Sequence, residues 1–345
     1  MMIDRRSTLQ LALAAGAGAL IARHPLTAAA AEPAAGPLPR GTRLVAEGLQ
    51  FPEGPVAMKD GSVILVEMKS ETLTRVLPSG QKEIIAKLGG GPNGAAIGPD
   101  GAMYITNNGD AWGWAEGELH LPGPPPAYYR GGSIQRVDLK TGAFTTLYDA
   151  CDGLPLNSPN DLVFDSSGGF WFTCYGQSDG EVRRLGALYY ARADGSKIVR
   201  WRSELISPNG VGLSPDGREV YMSDCMVGRL YAFALTSPGV MAPQSALSAG
   251  AVGRVVATLP GYQWLDSMAV EANGNVCVAT LFNSGITTFN PHSGKYTQVP
   301  FNDPITTNLC FGGSDMRDVW VTCASTGRLY RTRWPRPGLK LAYNA

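Results

Sequence analysis

One pattern recurs along the chain. A polar residue opens an alternating apolar run, a Gly-containing turn breaks it, and a second apolar run follows. The first copy begins at Pro52-Glu53-Gly54-Pro55-Val56, turns at Asp60-Gly61 and continues as Val63-Ile64-Leu65-Val66. Further copies open at Pro92-Asn93-Gly94, Pro159-Asn160-Asp161, Pro208-Asn209-Gly210 and Leu265-Asp266-Ser267, and a weaker sixth at Thr307-Asn308-Leu309. Period-two alternation bounded by turn residues predicts strands paired as hairpins. Segments such as Ser133-Ile134-Gln135-Arg136-Val137 and Leu188-Tyr189-Tyr190-Ala191 supply more strands between copies.

The opening polar residues recur about once every fifty residues, near the length of a four-stranded propeller blade. Six copies predict an all-β fold, a six-bladed β-propeller, rather than a β-sandwich, which has no such internal period. The abundance of turn formers, Gly 43 and Pro 25 in 345 residues, agrees with many short strands.

Charge narrows the function. Lys+Arg 29 balance Asp+Glu 29, so the basic footprint of a nucleic-acid binder is absent. The N-terminus reads as an address. Arg5-Arg6 precede the weakly apolar Leu11–Ile21 run, and Ala28–Ala31 offers small-residue cleavage positions. Residues 1–31 are therefore expected to be a twin-arginine-type signal peptide, 32–40 a linker, and 41–345 the six-bladed propeller catalytic domain. Periplasmic or secreted localisation follows, with the twin-arginine export machinery as a partner and no stable membrane insertion once the signal is removed. The six cysteines lack zinc spacing, and most lie in apolar strand-like runs, where they read as small buried residues.

In a propeller the innermost strand of each blade runs along the central channel. Blade symmetry brings Glu53, Asn93, Asn160, Asn209, Asp266 and Asn308 to one mouth of it. Two carboxylates and several amide oxygens form a hard-cation site suited to Ca²⁺, with Mg²⁺, Mn²⁺ or Zn²⁺ as alternatives. Taken singly, Asn93-Gly94 and Asn209-Gly210 are ordinary turn dipeptides; the same polar slot in six copies argues for a shared site. Other signatures are poor. Gly89-Gly90-Gly91-Pro92-Asn93-Gly94 fits a dinucleotide-binding spacing but has no helix pattern after it. The zinc-protease motif His-Glu-x-x-His does not occur. His120 and Trp112 lie in an insertion, Asp110 to Arg130, that is expected either to cover the channel mouth or to be an aromatic-pinned surface loop.

Phe51-Pro52-Glu53-Gly54-Pro55, Ser158-Pro159-Asn160-Asp161-Leu162, Ser207-Pro208-Asn209-Gly210-Val211-Gly212-Leu213 and Leu265-Asp266-Ser267-Met268 resemble the senescence-marker-protein/gluconolactonase/luciferin-regenerating-enzyme family. The resemblance implies a six-bladed propeller with one catalytic divalent metal, usually Ca²⁺, and hydrolysis of a small lactone, most often an aldonolactone such as gluconolactone. It places Glu53, Asn160, Asn209 and Asp266 on the metal-ligand positions and Asp266 on the base or nucleophile. Asn160, Asn93, Asn308, His120 and Trp112 are the expected substrate-binding residues. Asp161 resembles a ligand of a second, structural Ca²⁺ found in related enzymes. One departure stands out: Ser158 occupies the place of the family's sugar-contacting Arg, and Gln177 and Asp179 are the nearest matches to a substrate-contacting Glu. An arylesterase or phosphotriesterase on the same metal, or a non-catalytic ligand-binding propeller, are the alternatives.

Overall fold

The computed structural model describes residues 36–178, 181–243 and 253–343. The expected signal, 1–31, and residues 32–35 of the expected linker lie outside the described residues, as does Asp179. There is no helix among the described residues.

Each copy of the repeat builds one antiparallel sheet, and the polar residue falls near the start of its innermost strand. The inner strands are Pro52–Ala57, Pro92–Ile97, Pro159–Phe164, Pro208–Leu213, Trp264–Val270 and Thr306–Gly312. Each contacts the inner strand of the blade before and the blade after it, so the six close into a ring. The second strands are Val63–Glu67, Met103–Asn107, Gly169–Cys174, Glu219–Asp224, Val276–Leu281 and Asp318–Cys323. The fold is the six-bladed β-propeller that the repeat predicts. The sixth blade takes its outer strand, Arg43–Ala46, from the other end of the domain, pairing it with Arg328–Arg333. The two ends of the domain are thus latched by strand pairing within one blade.

Alternation along each strand explains the core. Phe170 and Phe172 fill the space between the second and third blades, while Trp171, between them in sequence, fills the space between the third and fourth. Six such apolar clusters occupy the six inter-blade gaps. A fully buried aromatic side chain contributes about 2–3 kcal/mol by burial, and Trp171, Phe170 and Phe172 are all completely buried. The cysteines are unpaired thiols, five of them buried. Leu38, in the expected linker, packs against the gap between the fifth and sixth blades.

The C-terminal segment crosses the channel end opposite the polar ring. Leu339, Leu341 and Tyr343 line the cavity beneath the inner strands, and Tyr343 packs edge-on against Phe164 at 5.7 Å. Its anchor is Glu271, which is fully buried and accepts hydrogen bonds from Trp334 Nε1 at 2.7 Å, Arg336 Nε and Asn275 Nδ2. Glu271→Ala strands the Trp334 indole and the Arg336 guanidinium. It is expected to cost about 3 kcal/mol of stability, measured by urea denaturation.

Candidate metal and active site

Every inner strand carries a β-bulge at its polar residue. The register slips between Glu53 and Val56, Pro92 and Gly94, Pro159 and Leu162, Pro208 and Val211, Leu265 and Met268, and Thr306 and Asn308. A bulge re-aims a side chain at the end of a ladder. Asn93-Gly94 and Asn209-Gly210 therefore lie within strands, and their glycines serve close approach. A Cβ on Gly94 would stand 2.7 Å from the Asn160 carbonyl oxygen, and one on Gly210 would stand 2.7 Å from that of Asp266. Gly210→Ala should push neighbouring inner strands apart at the site and lower stability by about 2 kcal/mol, read from thermal melting.

Hydroxyls on the second strands lock these bulges to each other. Ser223 Oγ accepts from Gly210 N at 2.8 Å and donates to the Asp266 carbonyl in the next blade at 2.8 Å. Thr106 accepts from Gly94 N and donates to the Asn160 carbonyl, and Thr173 accepts from Asp161 N and donates to the Asn209 carbonyl. The backbone carbonyls of Asn160, Asn209 and Asp266 are thereby engaged; of their side-chain oxygens, Asn160 Oδ1 is without a partner, while Asn209 Oδ1 lies 3.4 Å from Ser267 Oγ. These three hydroxyls were not singled out from the sequence. Their signal is a Thr or Ser at the penultimate place of five second strands, Thr106, Thr173, Ser223, Thr280 and Thr322.

All six ring residues are buried, between 2% and 7% exposed. Glu53 Oε2 accepts from Gly54 N at 2.8 Å and from Asn308 Nδ2 at 2.9 Å. Asn308 Oδ1 is taken by Leu309 N, so Asn308 positions Glu53. Asp266 Oδ1 accepts from Ser267 N at 3.0 Å, and the Asn209 amide also bonds its carboxylate. Asn93 Nδ2 lies 3.7 Å from Met68 Sδ. The Oδ1 atoms of Asn93 and Asn160 are buried with no hydrogen-bond partner. Buried amide oxygens without partners are uncommon and call for an explanation.

The electrostatics are those of crowded acids. Burial, followed by the charge of Asp266, holds Glu53 well above the usual carboxylate range. Burial pushes Asp266 up to about 8, and Asp161 adds to that. Burial likewise lifts Asp161 to about 7, against hydrogen bonds from the backbone N–H groups of Val211, Leu162 and Met268. Asp161 thus ties the bulges of the fourth and fifth blades from just beneath the ring. Among the described residues, no three His, Cys, Asp or Glu side chains group to hold a metal. The ring's donors are two acids with amides between them.

The insertion folds as a hairpin, with Trp114 bridged to Pro122, and it spans the mouth. Ala111 O accepts from Gln177 Nε2 in the third blade at 2.5 Å, and Trp112 packs edge-on against Tyr175 at 5.4 Å. On the other side, Trp114 packs on Phe51 at 5.1 Å, and His120 N donates to Ser325 O in the sixth blade at 2.8 Å. His120 Nδ1 lies 3.2 Å from Lys69 Nζ. Burial and then the Lys69 charge lower its pKa, so it is a neutral acceptor on Lys69 at the rim. Tyr175 and Cys225, each the residue just after a second strand, also face the site. Both feel the charge of Asp266. Neither was expected from the sequence, because a single residue at a strand end carries no pattern.

A family model described as SMP-30/gluconolactonase/LRE-like region matches residues 51–325. The chain belongs to this family. The SMP-30/gluconolactonase/LRE-like chain is 26% identical over 294 residues to a gluconolactonase of Zymomonas mobilis, covering 78% of this chain and 75% of that protein. It is 25% identical over 263 residues to the lactonase drp35 of Staphylococcus epidermidis, with 73% and 70% covered. The fold matches a calcium-binding regucalcin from Agrobacterium tumefaciens with a TM-score of 0.65 at 19% identity, covering 88% of this chain and 99% of that one.

Proposed function

We propose that this chain hydrolyses small lactones, with Asp266 as the general base and a divalent cation, Ca²⁺ above all, held by Glu53, Asn160, Asn209 and Asp266. The relatives named for lactonase activity support the reaction class. The observation that carries the site is a pair of buried acids, Glu53 and Asp266, in which burial raises both and the charge of Asp266 raises Glu53 further, met among the described residues by amide and backbone donors. Beside them lies the unpaired, buried Asn160 oxygen. Two negative charges and neutral oxygens fit a hard divalent ion, and burying such acids without compensation is costly.

When bound, the cation polarises a lactone carbonyl and stabilises the charge that develops on its oxygen. The chain's own residues do the rest. Asn209 and Ser267 N–H hold the Asp266 carboxylate in one orientation. Asp266 takes the proton from the water that attacks the carbonyl carbon and returns it to the ring oxygen as the C–O bond breaks. Asn308 and Gly54 N–H fix Glu53. The insertion keeps bulk water from the ring by its anchors on the third and sixth blades.

Chelation tests the reading. Hydrolysis of a lactone panel should fall to background with EDTA and return with Ca²⁺. Chelator-insensitive turnover overturns the metal assignment, and tight lactone binding without turnover favours a non-catalytic propeller.

A further inference from the structure

We propose that the lactone taken by this site is an alkyl- or aryl-substituted one, with an apolar face turned away from its carbonyl, and not a polyhydroxylated sugar lactone. The inference rests on the lactone reading above and adds the substrate class.

The wall above the polar ring is a seventh apolar cluster, separate from the six between the blades. Phe51, Met68 and Tyr175 are buried in it, and Trp112, Trp114 and Phe282 pack against it partly exposed. Its position is set by its neighbours. Phe51 immediately precedes Pro52-Glu53, Met68 Sδ meets the amides of Asn93 and Asn108, and Tyr175 feels the charge of Asp266. A substrate with its carbonyl at the ring therefore lays its remaining atoms against aromatic and thioether groups.

Most of the polar side chains described at this mouth are already engaged, the Asn93 and Asn160 side-chain oxygens down in the ring excepted. Gln177 Nε2 donates to Ala111 O, and its Oε1 accepts from Ser178 N. Asn108 Oδ1 accepts from Ala111 N, and its Nδ2 is directed at Met68 Sδ. Ser158 is fully buried, with its N–H and hydroxyl both on Tyr129 Oη. Arg183 bonds the carbonyls of Tyr175 and Ile206, and Lys69 is held at His120. Above the ring, the hydroxyls of a sugar lactone would lose water against apolar and already bonded groups, with the Asn93 oxygen as an open acceptor for one of them. Each methylene of an alkyl lactone gains by leaving water.

The matched pair δ-decalactone and D-glucono-δ-lactone tests this, because both carry the same six-membered ring. With the Ca²⁺-loaded chain, kcat/KM is expected to favour δ-decalactone by about 30-fold or more. Trp112→Ala should raise KM for δ-decalactone about tenfold with kcat nearly unchanged, and Trp112→Phe should restore most of the loss. Melting curves of both variants establish that they are folded. Equal or reversed preference overturns the inference. If neither lactone is hydrolysed, the lactone-hydrolase reading falls, and binding then decides the pocket's chemistry. Perturbation of tryptophan emission by 6-pentyl-2-piperidone, but not by gluconolactam, sustains the apolar site, and the converse removes it.

Discussion

Replacing Asp266 with Asn is expected to lower kcat for lactone hydrolysis at saturating Ca²⁺ by about 10³-fold or more and to weaken Ca²⁺ binding as well, because the site loses one of its two negative charges. The amide would keep one oxygen donor and nearly the same volume, so the ring loses a base and a charge but not its shape. The surrounding design sharpens the expectation. Asp266 sits on a bulge whose carbonyl is held by Ser223, and its carboxylate is held by Ser267 N–H and Asn209. Little room exists for another group to move into its role: His120 is tied to Lys69, and Asp161 is spent on backbone N–H groups beneath the ring. Steady-state kinetics and calcium titration calorimetry on the same preparation give the two quantities. Wild-type kcat in the Asn variant would remove Asp266 from the chemistry. A loss of rate that saturating Ca²⁺ restores would make it a ligand only.

The metal-free chain should lose stability as pH rises from about 4 to about 8, and Ca²⁺ should return it most strongly at the upper end. Glu53, Asp161 and Asp266 all carry folded-state pKa values raised by burial, Asp161 to about 7 and Asp266 to about 8. Near pH 4 and below, these groups hold protons in the folded chain and largely in the unfolded chain. Between pH 4 and 8 the unfolded chain releases them while the folded chain retains them, so rising pH favours unfolding. Their stabilising contribution is complete below the unfolded values and is lost as pH passes the folded ones. A divalent ion replaces those protons. At about a hundredfold excess over its dissociation constant it stabilises the fold by about 2.7 kcal/mol, or about 5 °C or more in melting temperature for a domain of this size. Thermal melts at pH 5 and pH 8, with EDTA and with Ca²⁺, read this directly. A calcium shift equal at both pH values would show that the ion binds away from these acids.

The propeller was legible because its information is local and repeated. Strand, turn and polar start recur in six windows, and each window folds the same way. Glu53 and Asp266 stood out for the same reason, as acids in a slot that elsewhere holds Asn. The weak sixth copy lacks a fourth strand after Arg328–Arg333. That gap is the only sequence sign that Arg43–Ala46 completes the blade. The insertion's aromatics invited two readings, lid or surface loop. Its anchors on Gln177, Tyr175, Phe51 and Ser325 lie in three other parts of the chain and could not be assigned from spacing.

Sequence alone determined the blade count, the strand hosting each polar residue and the hard-oxygen character of the ring, since these follow from the period-two pattern and side-chain chemistry within single repeats. Tertiary structure decided which oxygens stay free, how far burial lifts the acids, and that an apolar wall stands over the ring. Those properties arise between blades, where closure about one axis sets residues distant in sequence within bonding distance, and no periodicity along the chain encodes such a contact.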